Sequence, residues 1–272
     1  MLLIIEALLL ILAALGQDHR AAAAAVEKKF PLDMAQNSVD DQYEGCREKM
    51  SDLVETKYMK QEMSNPKSKF AIAWKLAENN YKPPGDSLTK NHSIAIYVYT
   101  NSGFEVYKEF NEADRNDKKR YKNKTFKWYS LHFLLTDAIQ ILKKTQNKCY
   151  STYRGTNVKF KQNVRNKKVR FGSFTSSSIN HNRTKFFGNV SCFEINTCEG
   201  AEVTKYSKLP QEKEVLIPPY ETFKVTAVKK RGQQDLWCDT VYTLKSSGKR
   251  SDLNCALFKK PTKTITKYYV EH

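Results

Sequence analysis

After its first sixteen residues, the chain has no long apolar run. That opening, MLLIIEALLLILAALG, is shorter than the roughly 20 residues a bilayer span needs. It has the shape of a secretory signal peptide over residues 1–16: Ala14 and Gly16 precede a cut ahead of Gln17, although no Lys or Arg comes first and Glu6 interrupts the run. The C-terminal segment KKPTKTITKYYVEH, which includes a tail over 261–272, is polar. It lacks the apolar stretch of roughly 10–20 residues that a lipid-anchor signal carries. A secreted protein with no stable membrane anchor is therefore expected.

Other absences narrow the chemistry. Cys192 and Cys198 are too far apart for a CxxC knuckle and the five histidines are scattered, so no metal site is expected. There is no GxGxxG turn, and RFGSF does not supply one, which argues against a Rossmann-type dinucleotide site. No internal repeat is found. Acidic residues are few: 29 Asp and Glu against 46 Lys and Arg give a formal charge of +17. The lysines are spread along the chain, densest at 117–127 and 159–170, with no aromatic-interleaved motif, so no nucleic-acid partner is expected. A solvated basic surface accounts for the charge; binding to anionic surfaces is the competing reading.

Six cysteines are present: Cys46, Cys149, Cys192, Cys198, Cys238 and Cys255. An even count behind a signal peptide reads as three disulfides, with many connectivities open. Four Asn-x-Ser/Thr acceptors, at Asn91, Asn123, Asn182 and Asn189, fit an exported glycoprotein.

Residues 17–40 are expected to form a poorly structured lead, followed by one domain over 41–260. Its first part, to about residue 148, is helical. Apolar spacing marks 46–63 and 68–80, and the stripe Leu131, Leu134, Leu135, Ala138, Ile139 and Leu142 marks 130–144, with Ser130 as its cap. Residues 93–110 are ambiguous: Ile94, Ile96 and Val98 alternate like a strand, while Tyr107 and Phe110 suit a helix. From Cys149 to residue 260, short β-rich runs separated by turn residues take over. Helices followed by strands is an α+β signature.

Three segments carry candidate chemistry. In QEKEVLIPPYE, a strand would put Glu212 and Glu214 on one face roughly 7 Å apart, with Lys213 on the other. Two carboxylates so placed suit a reaction that develops positive charge: one stabilises an oxocarbenium-like centre, the other orients or deprotonates a nucleophile. In CYSTYRG, Arg154 offers a donor fork for phosphate beside the approachable Gly155. In RFGSFTSSS, Ser176, Ser177 and Ser178 can bridge backbone and ligand.

In order and spacing, these segments resemble the Arg–Ser–ExE signature of the arginine-specific mono-ADP-ribosyltransferases of vertebrate extracellular type. YSLHFLLTDAIQIL and CFEINTCEGAEVTKYS also resemble family segments, so that the likeness runs from about residue 30 to 258. The resemblance implies an ADP-ribosyltransferase fold, a helical N-terminal subdomain packed on a C-terminal core of two β-sheets. It implies transfer of ADP-ribose from NAD (or NADP), used as substrate, to arginine side chains of extracellular or cell-surface proteins. Glu214 would be the catalytic glutamate and Glu212 the acceptor-directed one. Ser176 would orient Glu214, and Arg154 would hold the dinucleotide. Gly155, Ser173, Ser207, Tyr99 and Phe187 (or Phe186) would contact NAD. It further implies the pairs Cys46–Cys255 and Cys149–Cys198, leaving Cys192 with Cys238. Two departures from the pattern are Ser177 in place of a threonine and Lys213 within the acidic run. NAD hydrolysis without transfer, and a non-catalytic secreted basic binding protein, are the alternatives.

Overall fold

The computed structural model describes residues 29–184, 187–232 and 236–258. The signal-peptide and tail assignments, and Phe186, lie outside the described residues. Helices come first: α1 (Arg47–Leu53), a π-helical turn (Val54–Tyr58), α2 (Met59–Glu62), α3 (Lys69–Glu78), α4 (Lys90–Thr100), α5 (Val106–Asn116), α6 (Lys118–Lys122) and α7 (Tyr129–Gln146). Strands follow: β1 (Tyr150–Thr156), β2 (Lys168–Val169), β3 (Thr175–Ser178), β4 (Ser191–Thr197), β5 (Ala201–Glu202), β6 (Glu214–Ile217), β7 (Glu221–Lys230) and β8 (Thr240–Lys249), with a short helix α8 (His181–Thr184) between β3 and β4.

Local chemistry explains the helix starts. Ser68 caps α3 by accepting from the Ala71 amide at 3.1 Å. Thr89 and His92 form a reciprocal capping box that starts α4, so the ambiguous stretch begins as helix to Thr100 and resumes as helix at Val106 after a short turn. The strand-like alternation there misled because α4 is buried all round, from His92 to Thr100, and so shows no polar face. Ser130 does not cap α7. It sits inside the first turn, and the Glu62 carboxylate accepts from its amide at 3.2 and 3.3 Å instead.

The two sheets expected are joined into one eight-stranded ladder, in the order β2-β7-β8-β4-β1-β3-β6-β5. The join is narrow. β1 pairs with β4 along its whole length, yet with β3 only at Tyr153 and Ser178. The helices pack against the β3-β6-β5 part through Phe174, Leu216, Ala201, Val203 and Tyr206. A second apolar cluster, including Leu32, Val169, Phe193, Ile195, Phe223 and Leu244, holds the other strands.

The lead expected to be loose as far as residue 40 is packed from residue 30 onward. Phe30 bridges to Phe160, Leu32 and Val39 enter the two cores, and Asp40 and Arg170 form an ion pair with no exposed surface on either side chain. Arg170 also donates to the carbonyls of Met34, Ala35 and Arg250. These buried bonds give the segment a fixed path that apolar patterning alone did not reveal. Disulfides join Cys46 to Cys255, Cys149 to Cys198 and Cys192 to Cys238.

Candidate active site

A small cavity opens at the seam between β1 and β3. Its walls are Tyr153, Arg154, Ser176, Ser177, Ser178, Thr184, Phe187, Glu212 and Glu214. Arg154 comes from β1, the residue after the single pair that joins the two parts of the sheet. Its Nη1 donates to the Ser176 carbonyl at 2.6 Å, so the guanidinium spans the seam where ladder bonds stop. Ser177 donates from Oγ to the Val215 carbonyl at 2.9 Å and fastens β3 to β6.

The two glutamates reach this cavity by a route other than strand alternation. Glu212 ends a 3₁₀ turn, Pro210–Glu212. Lys213 adopts the left-handed conformation (φ 46°), and β6 begins only at Glu214. Ser178 fixes the turn: its Oγ donates to the Glu212 carbonyl at 2.6 Å and accepts from the Asn180 amide at 3.0 Å.

Glu214 is buried, with Oε1 enclosed and without a hydrogen-bond partner. Burial pushes its carboxyl up to about 7. The Ser176 hydroxyl opposes that rise, nearby Glu212 adds to it, and Arg154 opposes it. Glu212 is raised by burial too, and the exposed Arg183 on α8 draws it back. Desolvation lowers the Arg154 guanidinium against the pull of Tyr99 and Glu214, but the group stays cationic. A buried carboxylate with an unpaired oxygen, a second carboxylate nearer the surface and a fixed cation all face one small cavity. Such an arrangement suits stabilisation of a cationic centre beside a bound anion.

A family model described as NAD:arginine ADP-ribosyltransferase matches residues 32–252. The chain belongs to this family. Among relatives, the GPI-linked NAD(P)(+)--arginine ADP-ribosyltransferase 1 of Mus musculus is 34% identical over 256 residues, covering 85% of this chain and 74% of the relative. The crystal structure of the eucaryotic mono-ADP-ribosyltransferase ART2.2 superposes with a TM-score of 0.69 and 32% identity, over 85% of this chain and all of that one. A variant of ART2.2 in complex with NADH gives the same TM-score at 31% identity, with the same coverage.

In this transferase Gly155, Ser173, Ser207 and Tyr99 lie outside the cavity wall, to which Phe187 belongs. Gly155 backs onto α8: an added Cβ would come within 2.2 Å of the Gly188 carbonyl oxygen and 2.6 Å of that of Thr184. Ser173 is buried and accepts from Arg115 at 3.0 Å. Ser207 accepts from the Leu209 amide at 3.0 Å in its own turn. Tyr99 is buried one layer behind, donating to the Phe174 carbonyl at 3.1 Å and accepting from Asn111 at 3.1 Å. Phe187 stands at the mouth, 49% exposed. Sequence reasoning missed Thr184 and Arg183, which carry no signature beyond their place in the Asn182 acceptor triplet. No group of three or more potential metal-ligating side chains occurs among the described residues.

Proposed function

We propose that this transferase moves ADP-ribose from NAD to arginine side chains of proteins through the cavity at the β1–β3 seam. The observation that carries the reading is the buried, unpartnered Oε1 of Glu214 in the wall it shares with Arg154 and Glu212. An orphaned buried carboxylate oxygen is costly unless a ligand satisfies it. The cavity's lining, a cation beside two carboxylates, suits the reacting end of a dinucleotide. Ser173 and Ser207, outside the wall, would then serve the part that extends beyond it.

In this reading the bound dinucleotide supplies the glycosidic bond that breaks. Arg154 neutralises phosphate and keeps the reacting end against β3. Glu214, oriented by Ser176, stabilises positive charge as it develops at the ribose carbon. Glu212, held at the rim by Ser178 and the Lys213 turn, receives the incoming guanidinium and takes its proton. Preorganisation of these charges in a desolvated wall supplies the rate acceleration.

Incubation with labelled NAD and agmatine tests the proposal: an ADP-ribosyl-agmatine adduct forms in step with nicotinamide release. Nicotinamide release with no adduct would instead assign the protein as an NAD glycohydrolase. Heparin retention with no NAD turnover would assign it as a basic binding protein. Three disulfides support an extracellular place of action. Treating expressing cells with a phosphatidylinositol-specific phospholipase separates the freely secreted form expected above from the lipid-linked form for which the mouse relative is named.

A further inference from the structure

Two of the four Asn-x-Ser/Thr triplets flank, along the chain, residues of the cavity wall. Asn182 lies on α8, and Asn189 lies just before β4. Between them in sequence stand Thr184 and Phe187, both of which line the cavity. Both asparagines are exposed, and each backbone is fixed. The Asn182 amide donates to Asn180 Oδ1 at 3.0 Å, and the Asn189 carbonyl accepts from the Asp239 amide at 2.9 Å. A chain attached at either point would therefore start from a hydrogen-bonded backbone a few residues along the chain from the half-exposed Phe187. Asn123 is also exposed but lies at the end of α6 in the helical part, and Asn91 is half-buried within α4.

We propose that N-linked glycans at Asn182 and Asn189 frame the entrance to the cavity and restrict acceptors to arginines carried on flexible, protruding segments. This rests on the transfer reading above. The modification joins asparagine Nδ2 to the first sugar carbon of a lipid-diphosphate-linked oligosaccharide. The lipid diphosphate leaves and the amide loses one proton. The hydroxyls of both triplets are buried after folding: Thr184 donates to the His181 carbonyl at 2.6 Å, and Ser191 accepts from the Phe160 amide at 3.4 Å. Attachment therefore precedes folding. Once in place, the two glycans screen the rim by steric exclusion, which discriminates among acceptors without touching the reacting groups.

The test uses the full chain secreted from a glycosylating eukaryotic host. Glycopeptide mapping should find sugar on both Asn182 and Asn189. The double variant Asn182→Gln/Asn189→Gln should transfer to agmatine and to an unstructured arginine-rich peptide at rates within about twofold of the unaltered protein, and to arginines on a compact folded protein about fivefold faster or more. Asn123→Gln should leave all three rates alike. An unmodified asparagine at either position, or an unchanged ratio of folded to small acceptors, would overturn the proposal. Absence of agmatine transfer by the unaltered protein counts against the transfer reading alone. Screening is then read by limited trypsin treatment: cleavage after Arg183 should be slower in the glycosylated protein than in the double variant, and equal rates would refute the screening.

Discussion

Arg154 Nη1 donates to the backbone carbonyl of Ser176 across 2.6 Å, at the one place where the two parts of the sheet meet through a single residue pair. A side chain here takes over from the backbone ladder, and the gap it spans is the cavity. The same guanidinium is thus a structural tie and the cation facing Glu214. Loss of Arg154 should loosen the seam as well as weaken dinucleotide binding.

Glu214→Gln should abolish both transfer and NAD cleavage, by about a thousandfold or more, because it removes the charge that in the proposed mechanism meets the developing cation. Glu212→Gln should lose agmatine transfer while keeping measurable NAD hydrolysis, since only the acceptor side is altered. Nicotinamide release and adduct formation, followed in parallel, check both. Robust transfer by Glu214→Gln would end the assignment.

The activity should rise with pH. Burial raises the Glu214 carboxyl from its ordinary 4.5 to about 7, and the proposed mechanism uses the ionised form, so kcat/KM should climb through a midpoint near 7. The negative charge of Glu212 contributes to that rise, so Glu212→Gln should move the midpoint of residual NAD hydrolysis downward. The effect on stability has the opposite sign. The folded state holds the proton more tightly than the unfolded chain, so the contribution is full below about 4.5 and is lost as pH rises through about 7. Glu62, raised to about 8 by burial, acts in the same direction. The melting temperature of Glu62→Gln, measured from pH 5 to 9, should fall less with rising pH than that of the unaltered protein.

Gly155→Ala should displace α8. The added Cβ meets two backbone carbonyl oxygens, at 2.2 and 2.6 Å, neither of which can swing aside like a side-chain tip. A stability loss of roughly 1–3 kcal/mol is expected. Because Thr184 belongs to the cavity wall, KM for NAD should rise as well. Thermal unfolding and steady-state kinetics report the two effects separately.

Arg170→Met should destabilise the fold by roughly 3–5 kcal/mol by leaving Asp40 buried without its cation. Combining it with Asp40→Asn should recover part of the loss in denaturant unfolding. Full additivity of the two single substitutions would argue against a direct coupling.

Much of the fold was legible because its strongest signals are local. The apolar stripe from Leu131 to Leu142 needed no context to read as a helix, and the change of texture after Cys149 marked the β part. Local reasoning failed where burial removed the pattern, as in α4, and where polar bonds held a segment that apolar spacing left blank, as with Asp40 and Arg170. At the site, the pairing of Glu212 with Glu214 was legible, but its geometric reason was not. The left-handed backbone at Lys213 and the Ser178 bond to the Glu212 carbonyl create a turn where a strand was expected.

The helix-then-strand order, the export-type cysteine content and the residue types available for chemistry follow from the primary structure, because periodicity and composition act over a few residues. Long-range packing brings Arg154, Ser176, Glu212 and Glu214 into one cavity, narrows the sheet to a single pair beside it, and buries the Glu214 carboxyl with an oxygen unpaired. Those outcomes depend on contacts between segments distant in the chain. Their energies come from desolvation and from hydrogen bonds that no short stretch of sequence contains.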